Sequence, residues 1–114
     1  MPHPVNALSL SYMLELRPNC EICDCDLPPD RSDARICTYE CTYCITCAED
    51  VLAGVCANCG GNLVPRPIRP KTAWRNGTGL GNHPAGTKRR HNRYSEDDRR
   101  TLSERLRDVP PDQR

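Results

Sequence analysis

Apolar positions in this chain fall in short, scattered runs, and few keep a period long enough to define an element. A helical stripe near the end is the clearest: Leu102, Leu106 and Val109 recur at i, i+4 and i+7 within residues 95–109. Ser95 suits the N-cap, Glu96, Asp97 and Asp98 the positive end of the dipole, and Arg105 and Arg107 the other end. Three apolar residues do not hold a solitary helix in water, so this one is predicted to be marginal. A shorter helix is predicted after Thr46, with Glu49 completing a capping box, Gly54 closing it, and Val51, Leu52 and Val55 as its apolar surface. Short strands are predicted over residues 34–39 and 63–64. From Lys71 onward, Asn76-Gly77, Gly79, Gly81, His83-Pro84 and Gly86 break any period. Residues 71–94 therefore read as a disordered basic linker, residues 110–114 as a disordered end, and residues 1–12 as a flexible extension.

What remains, residues 13–70, has little to fold around. Leu, Ile and Val together number 19 of 114, and Phe is absent. That is below the roughly 20% at which chains begin to resemble disordered ones, so a large enzyme fold is excluded. A membrane span is excluded too: the longest apolar stretch, residues 7–16, is short and interrupted by Ser, Tyr and Glu.

Sulfur supplies the missing cohesion. All nine cysteines lie within residues 20–59. Disulfides need an oxidising compartment, and the N-terminus shows neither a cationic run before an apolar stretch nor a small-residue cleavage site. The odd count and repeated C-x-x-C pairs likewise favour metal. Eight of the thiols, Cys20, Cys23, Cys37, Cys41, Cys44, Cys47, Cys56 and Cys59, match the needs of two tetrahedral zinc ions. Two residues between ligands allow a tight turn to wrap an ion and aim backbone N–H groups at the sulfurs. Cys56-Ala-Asn-Cys-Gly-Gly61 suits such a knuckle, because glycine tolerates the left-handed conformation that follows. The three histidines lie far from the ladder, so ligation is expected to be all-cysteine. Cys25 is either a replacement for Cys23 or a spare thiol, and the spare reading is favoured. Iron is the alternative metal.

Charge divides the chain further. Residues 1–65 carry a formal −6, residues 66–93 carry +8 with no acidic side chain, and residues 94–114 carry −1. A near-neutral whole thus hides an acidic head and a basic tail. Lys88, Arg89, Arg90 and Arg93 are candidates for tracking a phosphate backbone, with Trp74 and Tyr94 placed to stack on bases. The competing reading is a tail that folds back on the acidic head.

The ladder resembles the RING-type cross-brace and its treble-clef relatives, which implies a small metal-stabilised α+β domain with one short helix and short strands. Carried over, Cys20, Cys23, Cys44 and Cys47 share one ion, and Cys37, Cys41, Cys56 and Cys59 the other. Sequential pairing is the alternative. Interleaving is favoured because it ties together both ends of a chain without a core. Residues 13 to about 70 also resemble a family of short bacterial proteins, domain-of-unknown-function family 1272. The resemblance rests on Met13-Leu-Glu-Leu-Arg-Pro-Asn-Cys20, Leu27-Pro-Pro-Asp30, Glu40-Cys-Thr-Tyr-Cys44, and Cys59-Gly-Gly61 through Arg66-Pro67. It implies a cysteine-rich, zinc-holding domain of a bacterial cytoplasm, with no established activity and members that begin near Met13. Cys25 and Ala57 depart from the family pattern.

Enzymatic readings fare poorly. Cys20-Glu-Ile-Cys23 has the isoleucine of ubiquitin ligases, but Gly60 follows Cys59 where they carry a cation, and the sole tryptophan, Trp74, lies in the tail. Thioredoxin-like chemistry needs a βαβ scaffold that is missing. Catalytic zinc keeps a position open, whereas four cysteines close the shell. The expectation is a non-enzymatic two-zinc module for protein or nucleic-acid interaction, without membrane or small-molecule substrate; a RING-type ligase or a redox or metal sensor is the alternative.

Overall fold

The computed structural model describes residues 13–114; the extension expected over residues 1–12 lies outside that range. Three short strands make one antiparallel sheet, β1 (Ala34–Ile36), β2 (Thr42–Cys44) and β3 (Val64–Pro65), in the order β2-β1-β3. In β1 and β2, Ala34 pairs with Cys44, Arg35 with Tyr43 and Ile36 with Thr42. Arg35 and Ile36 pair on the other side with Pro65 and Val64. The expected strand over residues 34–39 stops at Ile36 because Cys37 begins a tight loop. Within it the Cys37 N–H donates to the Cys41 carbonyl at 3.2 Å, and Glu40 takes φ +68°. β2 has no alternating pattern: all three of its residues are buried, and that is why periodicity did not reveal it.

The helix expected after Thr46 is a single π-helical turn, Cys47–Val51. Thr46 is itself helical and makes no side-chain cap, so the expected capping box does not form. The Cys47 N–H donates instead to the Cys44 sulfur, at 3.5 Å. A sulfur three residues back thus serves an orphan amide that a hydroxyl cap was expected to satisfy. Gly54, at φ +77°, closes the turn as expected.

Cysteine is the core. Of the twelve residues in the buried cluster, Cys20, Cys37, Cys41, Cys44, Cys47 and Cys56 are six; Leu27, Ala34, Tyr43, Ala48, Leu52 and Ala57 are the others. Arg66 staples the margin of this cluster. Its guanidinium, almost wholly buried, donates to the carbonyls of Arg17 (2.8 Å), Leu27 (3.1 Å) and Pro28 (2.9 Å).

Three tail segments expected to be marginal or disordered are held against this domain. Helix α1 spans Glu96–Leu106, ending three residues before the last apolar position of the stripe, with the Ser95 hydroxyl capping the Asp98 N–H at 3.1 Å. It is docked rather than solitary: the Ser103 hydroxyl donates to the Leu52 carbonyl at 2.8 Å, and Leu106 packs over Gly60. The end expected to be disordered forms a 3-10 turn, Pro111–Gln113, and Arg114 donates to the Gly60 carbonyl at 3.0 Å. Residues 71–94 contain no helix or strand, yet residues 86–92 lie as a strap across the acidic head. The Gly86 N–H meets the Leu16 carbonyl at 2.9 Å, and the Asn92 N–H meets that of Glu21 at 2.8 Å.

Candidate metal centres

Each half of the ladder is a local turn that presents sulfur. In the first, Asp24 N–H closes on the Cys20 carbonyl at 2.9 Å, with Asp24 at φ +66°. The last repeats the design: Gly60 N–H closes on the Cys56 carbonyl at 2.8 Å, with Gly60 at φ +78°. Amides then point at sulfur throughout. Tyr39 N–H reaches Cys37 at 3.3 Å, Asn58 N–H reaches Cys56 at 3.4 Å and Gly61 N–H reaches Cys59 at 3.4 Å. Such donors favour thiolate and are the outer layer that metal-bound sulfur requires.

The fold gathers these turns into two groups. Cys20, Cys23, Cys44 and Cys47 place their sulfurs within 4.8 Å of one another, and so do Cys37, Cys56 and Cys59. Cys41 stands outside the mutual 4.8 Å limit, at the other end of the loop in which the Cys37 N–H donates to its carbonyl at 3.2 Å. The grouping is interleaved, the first C-x-x-C turn with Cys44 and Cys47, the last with the β1–β2 loop. No two of the nine cysteines are bonded to each other.

Desolvation is the largest cause pushing Cys20, Cys47 and Cys59 up from the usual thiol range. In the second group, hydrogen bonds from Cys37 and Cys41 hold Cys56 well below that range, and hydrogen bonds with Cys41 and Cys56 push Cys37 far above it. The Tyr43 hydroxyl lies 3.3 Å from the Cys56 sulfur, in hydrogen-bond contact, and burial above all pushes it up from the usual phenol range. Cys23 differs. Against desolvation, the Cys25 N–H and the thiols of Cys25, Cys20 and Cys44 bring it down to about 7. Cys25 itself is pushed up to about 12 by desolvation and by hydrogen bonds with, and charge on, Cys23 and Cys44.

Polar side chains that sequence reasoning passed over join the two groups. Buried Glu21 accepts from the Thr42 N–H (2.8 Å), Arg17 (3.2 Å) and the Asn58 amide (3.1 Å). Asn92 of the strap donates to the Asn58 carbonyl at 2.7 Å. Glu21 and Asn58 occupy the x positions of the two outer C-x-x-C turns, and that placement was the available signal.

The candidate nucleic-acid residues separate into two kinds. Arg89 is engaged by the head, with Asp24 at 2.9 Å and Asp26 at 2.7 Å, and Arg90 lies 3.4 Å from Glu15. Arg90 is also fixed through its backbone, because Asn19 donates to its carbonyl at 2.7 Å and accepts its N–H at 3.1 Å. Lys88 and Arg93 pair with no carboxylate among the described residues; they line a cleft of about 450 Å³ with Arg17, Tyr39, Asn58 and His91. The exposed Trp74 and Tyr94 lie elsewhere than on this cleft's lining.

Fold and thiol geometry define a small cysteine-rich α+β domain with two groups suited to metal ions. The chain belongs to the family described as "Protein of unknown function (DUF1272)", whose model matches residues 13–69. An uncharacterized protein of Rhizobium meliloti (strain 1021) is 58% identical over 77 residues, covering 68% of this chain and 84% of its own length. No solved structure matches significantly. Among the described residues no helix is long and apolar enough to cross a membrane.

Proposed function

We propose that this chain is a non-enzymatic interaction module in which two zinc ions, each held by four thiolates, take the place of a hydrophobic interior. The gathering of the sulfurs into two compact groups carries this reading. All-thiolate donor sets suit zinc, and four protein ligands leave no position for a reacting water. Structural zinc supplies about 10–16 kcal/mol in small fingers, far more than six core residues other than cysteine can. Cys20, Cys23, Cys44 and Cys47 would hold one ion; Cys37, Cys41, Cys56 and Cys59 the other.

The partner we assign is nucleic acid, received at the cleft between head and strap. Lys88 and Arg93 are its uncommitted cations, and the exposed ring of Tyr39 lies on the same cleft. Because Arg89 and Arg90 are spent on the head, the interface is smaller than the +8 segment suggests. Native mass spectrometry is expected to find two zinc ions per chain, and chelation to collapse the amide dispersion of residues 20–64. Affinity for single-stranded RNA or DNA is expected to fall steeply with salt and to be lost in Lys88→Glu/Arg93→Glu. A metal-free folded protein overturns the first part; binding that survives the double substitution overturns the second and turns the search to protein partners.

A further inference from the structure

Site one has a fifth sulfur. Cys25 follows Cys23 by two residues and stands outside the compact group of four, near enough to Cys23 and Cys44 for charge on either to act on it. The five differ in access: Cys20, Cys44 and Cys47 are buried, whereas Cys23 and Cys25 are both exposed. The residue between those two, Asp24, has φ +66°, so the chain turns sharply there. Site two has one exposed thiol, Cys59, and no ninth cysteine beside it.

We propose that the Cys23/Cys25 pair is a peroxide-oxidisable site that releases the ion of site one and leaves site two loaded. This rests on the reading of site one as a metal centre. The exposed Cys23 sulfur, present as thiolate when it ligates, attacks one oxygen of hydrogen peroxide; the O–O bond breaks and the other oxygen leaves as water after taking a proton. Cys23 is then a sulfenic acid. The Cys25 thiol attacks that sulfur, its proton leaves with the hydroxyl as a second water, and the Cys23–Cys25 disulfide forms. Two thiols have lost two electrons and one peroxide has gained them. The ion has lost one of four ligands, and both candidates for the fourth position are now consumed by the bridge. Cys59 has only fellow ligands of its own group within reach, Cys37 and Cys56, so its sulfenic acid would have no spare thiol to trap it.

The full chain is isolated under reducing conditions and its metal is counted before any oxidant is added; two ions per chain keep the metal reading, and fewer defeat that reading by itself. Hydrogen peroxide is then added with a chromophoric chelator present. The expected result is release of one ion of the two, a mass loss of two hydrogens, a bridge that fragmentation places between Cys23 and Cys25, and recovery of the ion after thiol reductant and zinc. Cys25→Ser is expected to keep both ions at the start and to release the first about tenfold or more slowly, because trapping by a neighbouring thiol is intramolecular. Its Cys23 is expected to advance to sulfinic acid. Equal release rates in the two proteins, a bridge between any other pair, or loss of both ions together would overturn the proposal, whatever the starting metal content.

Discussion

Arg66 shows how much a single side chain can hold where oily contacts are few. Three carbonyls from two separate segments converge on its buried guanidinium. Arg66→Met keeps the volume and the apolar stem but leaves those acceptors unsatisfied. The expected loss is roughly 2–4 kcal/mol in chemical denaturation of the metal-loaded protein. Arg66→Lys is expected to recover only part of it, since an ammonium cannot span the same fork. At this scale the cysteines were legible and their partners less so. The x residues of a C-x-x-C turn are written beside the ligands, but nothing local says that Glu21 and Asn58 will meet.

Helix α1 and the last C-x-x-C turn are one unit, although 36 residues separate Gly60 from Glu96. A Cβ placed at Gly60 would stand 2.9 Å from the Leu106 side chain, on a backbone already at φ +78°. Gly60→Ala is therefore expected to cost the left-handed penalty of about 1–2 kcal/mol in any setting. It should cost more in the full chain than in a chain ending at residue 94, where no helix presses on that face. Thermal denaturation of the four proteins as a cycle measures the difference, and additivity would show that helix and turn do not touch. Caps and charges placed this helix correctly in sequence. The short elements of the head resisted such reading because β2 is buried on both faces and the π turn takes its cap from a sulfur.

For the whole molecule the decisive contact is the strap on the acidic head. Hydrogen bonds from Arg89 and its charge lower the Asp24 carboxyl below its usual value. Glu15, against the opposing effect of desolvation, is lowered by Arg17 and Arg90. With both folded values depressed, the ionised forms are the ones that hold the strap. Their contribution is complete above the ordinary values of 3.8 and 4.5 and disappears as pH falls through the lowered folded ones. Hydrogen-exchange protection of the Gly86 and Asn92 amides is expected to be flat from pH 7 to pH 5 on that basis. Arg89→Ala at neutral pH is expected to expose the same amides and leave the metal count at two; protection equal to that of the parent chain would mean that the backbone bonds suffice.

Composition alone determined that cysteine would stand in for a core: 19 large aliphatic residues in 114 leave no other source of cohesion, and the spacing of the thiols allows for two ions. It also determined that an acidic head would be followed by a basic tail, because charge is counted residue by residue. Only the tertiary structure decided which thiols share a group, that Cys25 stands beside Cys23 and Cys44, and that Arg89 and Arg90 are spent on the head while Lys88 and Arg93 are not. Those are encounters between residues distant in sequence. They depend on where turns such as Asp24 and Gly60 send the chain, and that direction is settled by closing the loops together.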